Sequence, residues 1–488
     1  MPENTWYDSD SYNELEPISA LASDLSEIDD INTHYYRGLA GRRHKAALAL
    51  TVIWSGTIAL HLVSWGSWFV LCLTTFVGIH LLRMLMTRSL PVPQPLTEQD
   101  PEKLPFVSLL VAAKNEEAVI PSLVKTLCNL DYPASRYELW VINDNSTDRT
   151  AVLLDRLVQD YQQLRVVHRG PDAGGGKSGA LNEVWTRARG EILGVFDADA
   201  QVPQDLLRQV LPLFERPEVG AVQVRKTIAQ AELATHPDAK NFWIQGQVAE
   251  MAVDSYFQQQ RIALGGIGEL RGNGQFVRRV ALASCGGWNE ETITDDLDLT
   301  VRLHLDHWDI DFLMSPPVIE EGVTRAVGLW HQRNRWAEGG YQRYLDYWRL
   351  LARNRLGTRK TVDLFVFWLM QYIMPTAALP DLMMAIARNT MPIFAPMTSL
   401  TLTMSVLGMM IGLKHMRSGQ TTPIKTPSSQ SPWGLFFEAV RGTLYMLHWF
   451  PVIISMSIRL SIRPKQLKWV KTAHHGTDEL WLDVSEQR

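Results

Sequence analysis

The chain has 488 residues, of which 46% are hydrophobic and 20% charged, close to the average of soluble proteins. A net charge of −5 without a Lys/Arg-rich arm argues against a nucleic-acid-binding protein. Three scattered cysteines (Cys72, Cys128, Cys285) cannot build a disulfide framework or a thiolate zinc site.

The N-terminal 90 residues divide into an acidic leader and an apolar pair of segments. Residues 1–36 contain no Lys or Arg, unlike a signal peptide, and predict a disordered or loosely attached leader. Residues 46–82 contain no charged residue, a run that suits two membrane helices with a turn at 64–67. A buried hairpin of a soluble domain is the alternative. The basic flanks of residues 37–90 predict that both ends lie in the cytoplasm.

A proline-containing linker, 91–104, leads into residues 105–340, where strand-like and helix-like segments alternate. Apolar runs predict strands at 107–113, 139–142, 164–167, 192–196 and 219–224. The intervening segments 118–130, 150–159, 178–188 and 203–214 predict helices. This alternation indicates an α/β domain whose mostly parallel sheet is covered on both faces.

Residues 341–360 predict an amphipathic helix lying in the membrane interface. Apolar side chains alternate at helical spacing with charged ones, represented by Arg343 and Asp346. A core helix of the α/β domain is the alternative.

The C-terminal region, 361–461, contains apolar stretches at 364–386, 392–413 and 442–458 and predicts two to four further spans. Pro375 and Pro380 predict broken helices. The basic residues after 413 and in the tail, 462–488, both favour the cytoplasm, which one intervening span cannot satisfy. Residues 433–458 are therefore a re-entrant pair or an interfacial helix, and the topology stays open.

Two carboxylates, Asp197 and Asp199, follow the buried strand 192–196 directly. Residues i and i+2 of a strand point to the same side, so both acids can face one site beyond its C-terminal end. Such carboxylates bind divalent cations together with phosphate-bearing substrates. Two solvated acids in a turn are the alternative.

Further polar motifs follow the predicted strands in order. Three glycines precede Lys177 in a loop suited to phosphate, although Pro171 breaks the spacing of a Walker loop. The complete set is N-E-E (115–117), N-D-N-S-T-D (143–148), G-K-S-G-A-L-N (176–182), D-A-D (197–199), G-N-G-Q-F (272–276), T-D-D-L-D (294–298) and Q-R-N-R-W (332–336).

This ordered set resembles the inverting, nucleotide-sugar-dependent family 2 glycosyltransferases, which have a GT-A-type domain. Membrane-embedded members such as the cellulose, chitin and hyaluronan synthases are the most similar in motif content. The short chain and its two leading spans also resemble the family 2 glucosyltransferases that make monoglucosyldiacylglycerol in photosynthetic bacteria.

The resemblance implies a role for each matching residue. Asp296 would be the general base, Trp336 would bind the acceptor, Asp199 would bind Mg²⁺ or Mn²⁺, and the donor nucleotide-sugar would contact Asp144, Lys177, Asp197, Gln332 and Arg335. Asp298 is expected to be structural. Two positions depart from the family pattern, because Asn143 and Asp295 stand where many relatives have Asp and Glu.

The expected function is transfer of a sugar, glucose being favoured, from a UDP-sugar to a lipid acceptor, diacylglycerol being favoured, to give a β-glycolipid. A processive polysaccharide synthase, with a growing polysaccharide as acceptor, is the first alternative. A non-catalytic membrane scaffold or transport protein is the second. The expected location is an integral, multi-pass membrane protein with a cytoplasmic catalytic domain and no nucleic-acid partner.

Overall fold

A computed structural model of the chain describes residues 41–98, 100–232, 236–418 and 431–462. The predicted acidic leader and the tail from residue 463 lie outside the described residues. The helices are α1 Arg42–Leu62, α2 Gly66–Met86, α3 Ile120–Leu127, α4 Thr150–Asp160, α5 Gly176–Trp185, α6 Leu206–Val210, α7 Ala229–Glu232, α8 Phe242–Ala263, α9 Arg279–Ser284, α10 Asp295–Leu305, α11 Ala326–Ala352, α12 Thr358–Trp368, α13 Met374–Arg388, α14 Ala395–Ser418, α15 Pro432–Met446 and α16 Trp449–Ile462. The strands are β1 Val107–Ala113, β2 Tyr137–Asp144, β3 Leu164–Arg169, β4 Ile192–Phe196, β5 Val219–Ile228, β6 Gln275–Arg278 and β7 Asp309–Glu320.

The seven strands form one sheet in the order β3-β2-β1-β4-β6-β5-β7. Only β6 runs opposite to its neighbours β4 and β5, so the prediction of a mostly parallel sheet is confirmed. The five predicted strands are all present, whereas β6 and β7 were not predicted. β6 has only four residues, and β7 contains two prolines, so neither gives the continuous apolar run of a buried parallel strand.

The sheet is buried on both faces, as its apolar strands require. In β1, Leu109 and Val111 pack into the apolar cluster on one face, and Leu110 packs into the cluster on the other. The cluster that contains Leu110 also contains Tyr341 of α11 and Val452 of α16. The core of the α/β domain is therefore continuous with the C-terminal helices.

Among the described residues, five helices or helix pairs are long and apolar enough to cross a membrane, two before the α/β domain and three after it. Their number agrees with the predicted two N-terminal and two to four C-terminal spans. The first two are separated only by residues 63–65, where the predicted turn begins. A Cβ at Gly66 would overlap the carbonyl oxygen of Leu60, so the tight turn requires glycine at this position.

The prolines of the third membrane segment do not break it, contrary to the prediction. A π-helical turn, Leu369–Ile373, precedes Pro375 and lets the helix continue. Pro380 cannot donate to the carbonyl of Thr376, four residues earlier, and the indole Nε1 of Trp54 donates to that oxygen instead, at 3.2 Å. A partner from α1 therefore replaces the missing helical hydrogen bond.

The last segment is one long helical segment rather than the re-entrant pair, one of the two arrangements expected from its charges. Helices α15 and α16 are separated by only two residues, and Leu447 keeps helical dihedral angles. Pro451 cannot donate to Leu447, whose carbonyl accepts from the backbone N–H of Phe450 instead, at 3.1 Å. The chain thus stays helical up to and beyond Pro451, as one long segment.

Helix α11 corrects the predicted interfacial helix of residues 341–360. The helix exists, but it begins at Ala326, so the predicted domain boundary at residue 340 falls inside it. Two of its charged residues are not solvated, because Arg343 is 3% and Asp346 2% exposed. Arg343 donates to Glu269, and Asp346 accepts from Arg42 at the start of α1. The alternative, a core helix, therefore describes these residues correctly.

Candidate active site

One cleft of about 1770 Å³ lies beyond the C-terminal ends of β1, β2 and β4 and extends to the membrane helices. Open α/β sheets bind their ligands at this edge. All eight site residues predicted from the sequence line this cleft: Asp144, Lys177, Asp197, Asp199, Asp296, Gln332, Arg335 and Trp336.

Asp144 and the glycine loop are held together by an arginine that was not predicted as a site residue. Arg169, at the end of β3, pairs with Asp144 and donates to the carbonyl of Gly174. Gly175 has φ +77°, and a Cβ there would lie 2.8 Å from Gly179 Cα, so the loop needs glycine at this point. The position of Arg169 directly before the glycine loop was the only signal in the sequence.

Lys177, at the start of α5, forms an ion pair with Asp197 at 2.6 Å. Burial alone would lower the pKa of Lys177, but Asp197 and then Asp295 more than offset it, so the pKa is raised and the lysine stays charged. The backbone N–H of Asp197 donates to Oδ1 of Asn273, at 3.2 Å. The G-N-G motif therefore positions the first carboxylate of D-A-D.

Asp199 is almost buried, with 9% of its surface exposed. The backbone N–H of Glu321, just after β7, lies 3.4 Å from its Oδ2. The two carboxylates of D-A-D thus have different surroundings, because the first faces a lysine and the second faces the backbone at the end of β7.

Asp296 lies in the first turn of α10, where the backbone N–H of Leu297 donates to its Oδ1 at 2.9 Å. Burial, and then the charge of Asp295, raise the pKa of Asp296 to about 6, although Lys177 opposes this shift. A carboxylate with a pKa near the operating pH is well suited to accept a proton in catalysis.

Helix α11 brings Q-R-N-R-W to the same cleft. Burial lowers the pKa of Arg335, and the nearby charges of Asp197 and Asp296 partly oppose that shift. Within the described residues no hydrogen bond or ion pair of the Arg335 guanidinium is found, so its donors can serve a ligand. A Cβ at Gly339 would overlap Thr294, so glycine permits the close approach of α11 to T-D-D.

Trp336 is backed by a second arginine of the same motif, which was not predicted as a site residue. The guanidinium carbon of Arg333 lies 4.1 Å from the ring centroid of Trp336 and 5.5 Å from that of Trp449. Arg333 is 1% exposed and pairs with Glu250, which also accepts from Trp449 Nε1 at 2.8 Å. This cluster connects α8, α11 and α16 beside the indole, and its three residues line the cleft as well.

Two further motif positions are structural. Asp298 is buried and accepts from Asn289, Arg302 and Tyr347, in agreement with its predicted role. Asn143 is 4% exposed, and its Oδ1 accepts from the backbone N–H of Ser146 at 3.1 Å. Asn143 therefore shapes the loop after β2 and is not among the residues that line the cleft.

The sequence model of the family described as "Glycosyl transferase family 2" matches residues 108–285 of the chain. A β-monoglucosyldiacylglycerol synthase of Nostoc sp. is 58% identical over 485 residues, covering 98% of this chain and all of that protein. A Synechocystis sp. protein of the same name is 51% identical over 497 residues, covering all of both chains.

The fold has a counterpart among solved structures. The mannosyltransferase PcManGT of Pyrobaculum calidifontis, solved with GDP-Man and Mn²⁺, superposes with a TM-score of 0.51 at 19% identity. The match covers 85% of this chain and 97% of that one, and at this identity it shows a shared fold alone. The predicted GT-A-type architecture is thereby confirmed. The chain belongs to glycosyl transferase family 2 and, within it, to the group of full-length relatives named β-monoglucosyldiacylglycerol synthase.

Proposed function

We propose that this protein transfers glucose from UDP-glucose to the hydroxyl group of diacylglycerol and inverts the anomeric carbon, giving a β-glucolipid. The observation that carries the proposal is 51–58% identity to synthases of that name along the whole chain, membrane helices included. The processive-synthase alternative rested on Q-R-N-R-W and on membrane helices at both ends of the domain, features that the proposed enzyme shares.

The donor nucleotide would bind between the strand ends and α11. Asp144, fixed by Arg169, would contact the nucleoside, and Lys177 is positioned to meet the phosphates. Arg335 would donate paired hydrogen bonds to diphosphate oxygens, for which its planar guanidinium is suited. Gln332 lines the same cleft, and its side-chain oxygen, buried without a partner among the described residues, would accept a hydrogen bond from a hydroxyl group of the donor.

A divalent cation, Mg²⁺ or Mn²⁺, fits the D-A-D carboxylates. The described residues contain no group of three His, Cys, Asp or Glu side chains that could hold a metal by itself. Mg²⁺ commonly takes one or two protein carboxylates and completes its shell with substrate phosphates and water, which matches Asp199 with or without Asp197. When bound, the cation would neutralise charge on the departing diphosphate.

Asp296 would accept the proton of the acceptor hydroxyl as the oxygen attacks the anomeric carbon. That carbon forms its bond to the acceptor oxygen as its bond to the diphosphate breaks, so one displacement converts an α-linked donor into a β-glycoside. Arg335 would stabilise the charge that develops on the diphosphate, with its donors already in place. Trp336 would form the wall against which the acceptor packs.

The cleft is proposed to face the cytoplasm. Arg83 lies in the last turn of α2 and Arg88 follows it, and Arg42, Arg43 and Lys45 begin α1, so both ends of the first pair are basic. UDP-sugars would then reach the domain from the aqueous side, and the lipid would come from the bilayer.

The test is a product assay with purified protein in detergent, UDP-glucose, diacylglycerol and Mg²⁺. A lipid carrying a single β-linked glucose supports the proposal, and chelation of the metal should abolish its formation. Asp199→Asn should raise the Mg²⁺ concentration needed for half-maximal activity. A ladder of polymer would support the processive synthase, and failure to bind any UDP-sugar with Mg²⁺ would support the non-catalytic scaffold or transport protein.

A further inference from the structure

The cleft does not end at the acceptor-facing tryptophan but continues between the membrane helices. We define this continuation as the membrane arm, whose apolar walls come from α8, α14, α15, the residue that follows α15, and α16: Phe257, Leu402, Met404, Met446, Leu447 and Phe450. The arm and the proposed donor site form one continuous cavity. A molecule that enters the arm can therefore extend to Asp296 without leaving the cavity.

The side chains along the arm indicate an apolar occupant. Phe257 and Met404 pack against one apolar cluster of the membrane helices, and Phe257 and Met446 pack against a second. The hydroxyl groups of Thr401, Ser405 and Thr443 in the arm already have partners. Thr401 donates to the carbonyl of Met397 at 2.8 Å, and the hydroxyl oxygens of Ser405 and Thr443 lie 3.4 Å apart. Such hydroxyls present little unsatisfied polarity to a ligand.

Glycines hold the walls of the arm at a close, fixed spacing. A Cβ at Gly408 would lie 2.5 Å from the ring of Phe257, and one at Gly412 would lie 2.7 Å from the carbonyl oxygen of Ala252. A Cβ at Gly442 would overlap Met409. The contacts of α14 with α8 and α15 therefore need residues without side chains, and the arm is formed before a ligand binds.

We propose that the membrane arm binds the acyl chains of the lipid acceptor and thereby carries its hydroxyl group to Asp296. The proposal rests on the proposed function. Diacylglycerol consists of two apolar chains and a small glycerol head, and only the head has to reach the polar end of the cavity. A polysaccharide would instead require polar partners along its whole path, whereas the six side chains that define the arm are apolar.

The arm positions the hydroxyl group of the lipid acceptor and does not draw the lipid out of the bilayer by hydrophobic affinity. An acyl chain is already surrounded by hydrocarbon in the membrane, so its entry into the arm gains little hydrophobic free energy. The gain is orientation, because a hydroxyl held close to Asp296 reacts far faster than one that diffuses in the interface. Blocking the arm should therefore affect acceptors whose chains are long enough to fill it.

The experiment replaces Met404 by tryptophan, which narrows the arm, with Leu407→Trp as the matched control. Leu407 is on the same helix, is 42% exposed and does not line the cleft. Each variant is assayed with dioleoylglycerol and with dioctanoylglycerol, and UDP-glucose binding is measured separately. Met404→Trp should lower kcat/KM for the long-chain acceptor about tenfold or more, with little change for the short-chain acceptor or for donor binding. Leu407→Trp should change neither acceptor.

The outcomes distinguish a failure of the acyl-chain proposal from a failure of the proposed function. If Met404→Trp lowers kcat/KM equally for both acceptors, or for neither, the acyl-chain proposal is wrong. If the wild-type protein is inactive with both acceptors, the proposed function is wrong. If Met404→Trp does not fold, the wild-type protein is labelled with a diacylglycerol that carries a photoreactive group at the end of one chain. Labelling of the arm segments 398–405 and 443–450 supports the proposal. Labelling confined to the lipid-facing surface of α1 and α2 overturns it.

Discussion

Replacement of Asp296 by asparagine should slow transfer severely and at the same time stabilise the fold. Raising the pKa of a carboxyl group from 3.8 to about 6 corresponds to roughly 3 kcal/mol of unfavourable free energy for the ionised form in the folded protein. The folded protein therefore holds this proton more tightly than the unfolded chain does. The free energy of unfolding decreases as the pH rises through this window and stays lower near neutral pH.

Asparagine keeps the shape and can still accept from Leu297, but it carries no charge to bury. Near neutral pH we expect the free energy of unfolding of Asp296→Asn to exceed that of the wild type by at most about 3 kcal/mol. Loss of the base should lower kcat by about 10²- to 10⁴-fold. UDP-glucose binding, measured by calorimetry, should persist, because the donor contacts lie on other residues.

The pH dependence provides an independent check of the same reasoning. The wild-type kcat/KM should fall as the pH drops below about 6, where Asp296 becomes protonated. Asp295→Asn should move this fall to lower pH, because the charge of Asp295 is one of the causes that raise the pKa. The assignment of Asp296 as the general base would be refuted by near-normal turnover of Asp296→Asn. Lower stability of that variant, or a pH profile that Asp295→Asn does not shift, would refute it as well.

Two further substitutions test the packing behind the site. Gly339→Ala should lower the free energy of unfolding by about 1–3 kcal/mol, because the new Cβ would overlap Thr294, whereas Gly56→Ala, in a helix with nothing within 4 Å, should be neutral or stabilising. Equal thermal unfolding temperatures of Gly339→Ala and Gly56→Ala would contradict the close contact between α11 and Thr294. Glu250→Gln should destabilise the protein by about 3 kcal/mol, because it leaves the buried Arg333 without its charge partner. It should also raise KM for the acceptor but not for UDP-glucose, and an unchanged acceptor KM would show that the cluster does not position Trp336.

Motif residues far apart in the chain could be assigned to one site because the ends of parallel strands meet at one edge of a sheet. Asp144 is the last residue of β2 and the D-A-D pair follows β4, and all predicted site residues line one cleft. Arg169 and Arg333 were missed because arginine is common on protein surfaces. Only their three-dimensional partners, Asp144 for Arg169 and Glu250 for Arg333, distinguish them from surface arginines.

The sequence by itself determined five of the seven strands, a range for the number of apolar spans and the residue types at the catalytic edge. These features depend on residues that are close in the chain, and they can be read from periodicity, apolar runs and motif order. Only the tertiary structure decided which charges are buried and what they contact. Arg42 reaches Asp346 across 304 positions, and Arg343 reaches Glu269 across 74, so no local pattern could distinguish their helix face from a solvated one. The raised pKa of Asp296 has the same origin, because it depends on burial and on charges that the fold brings together from separate segments.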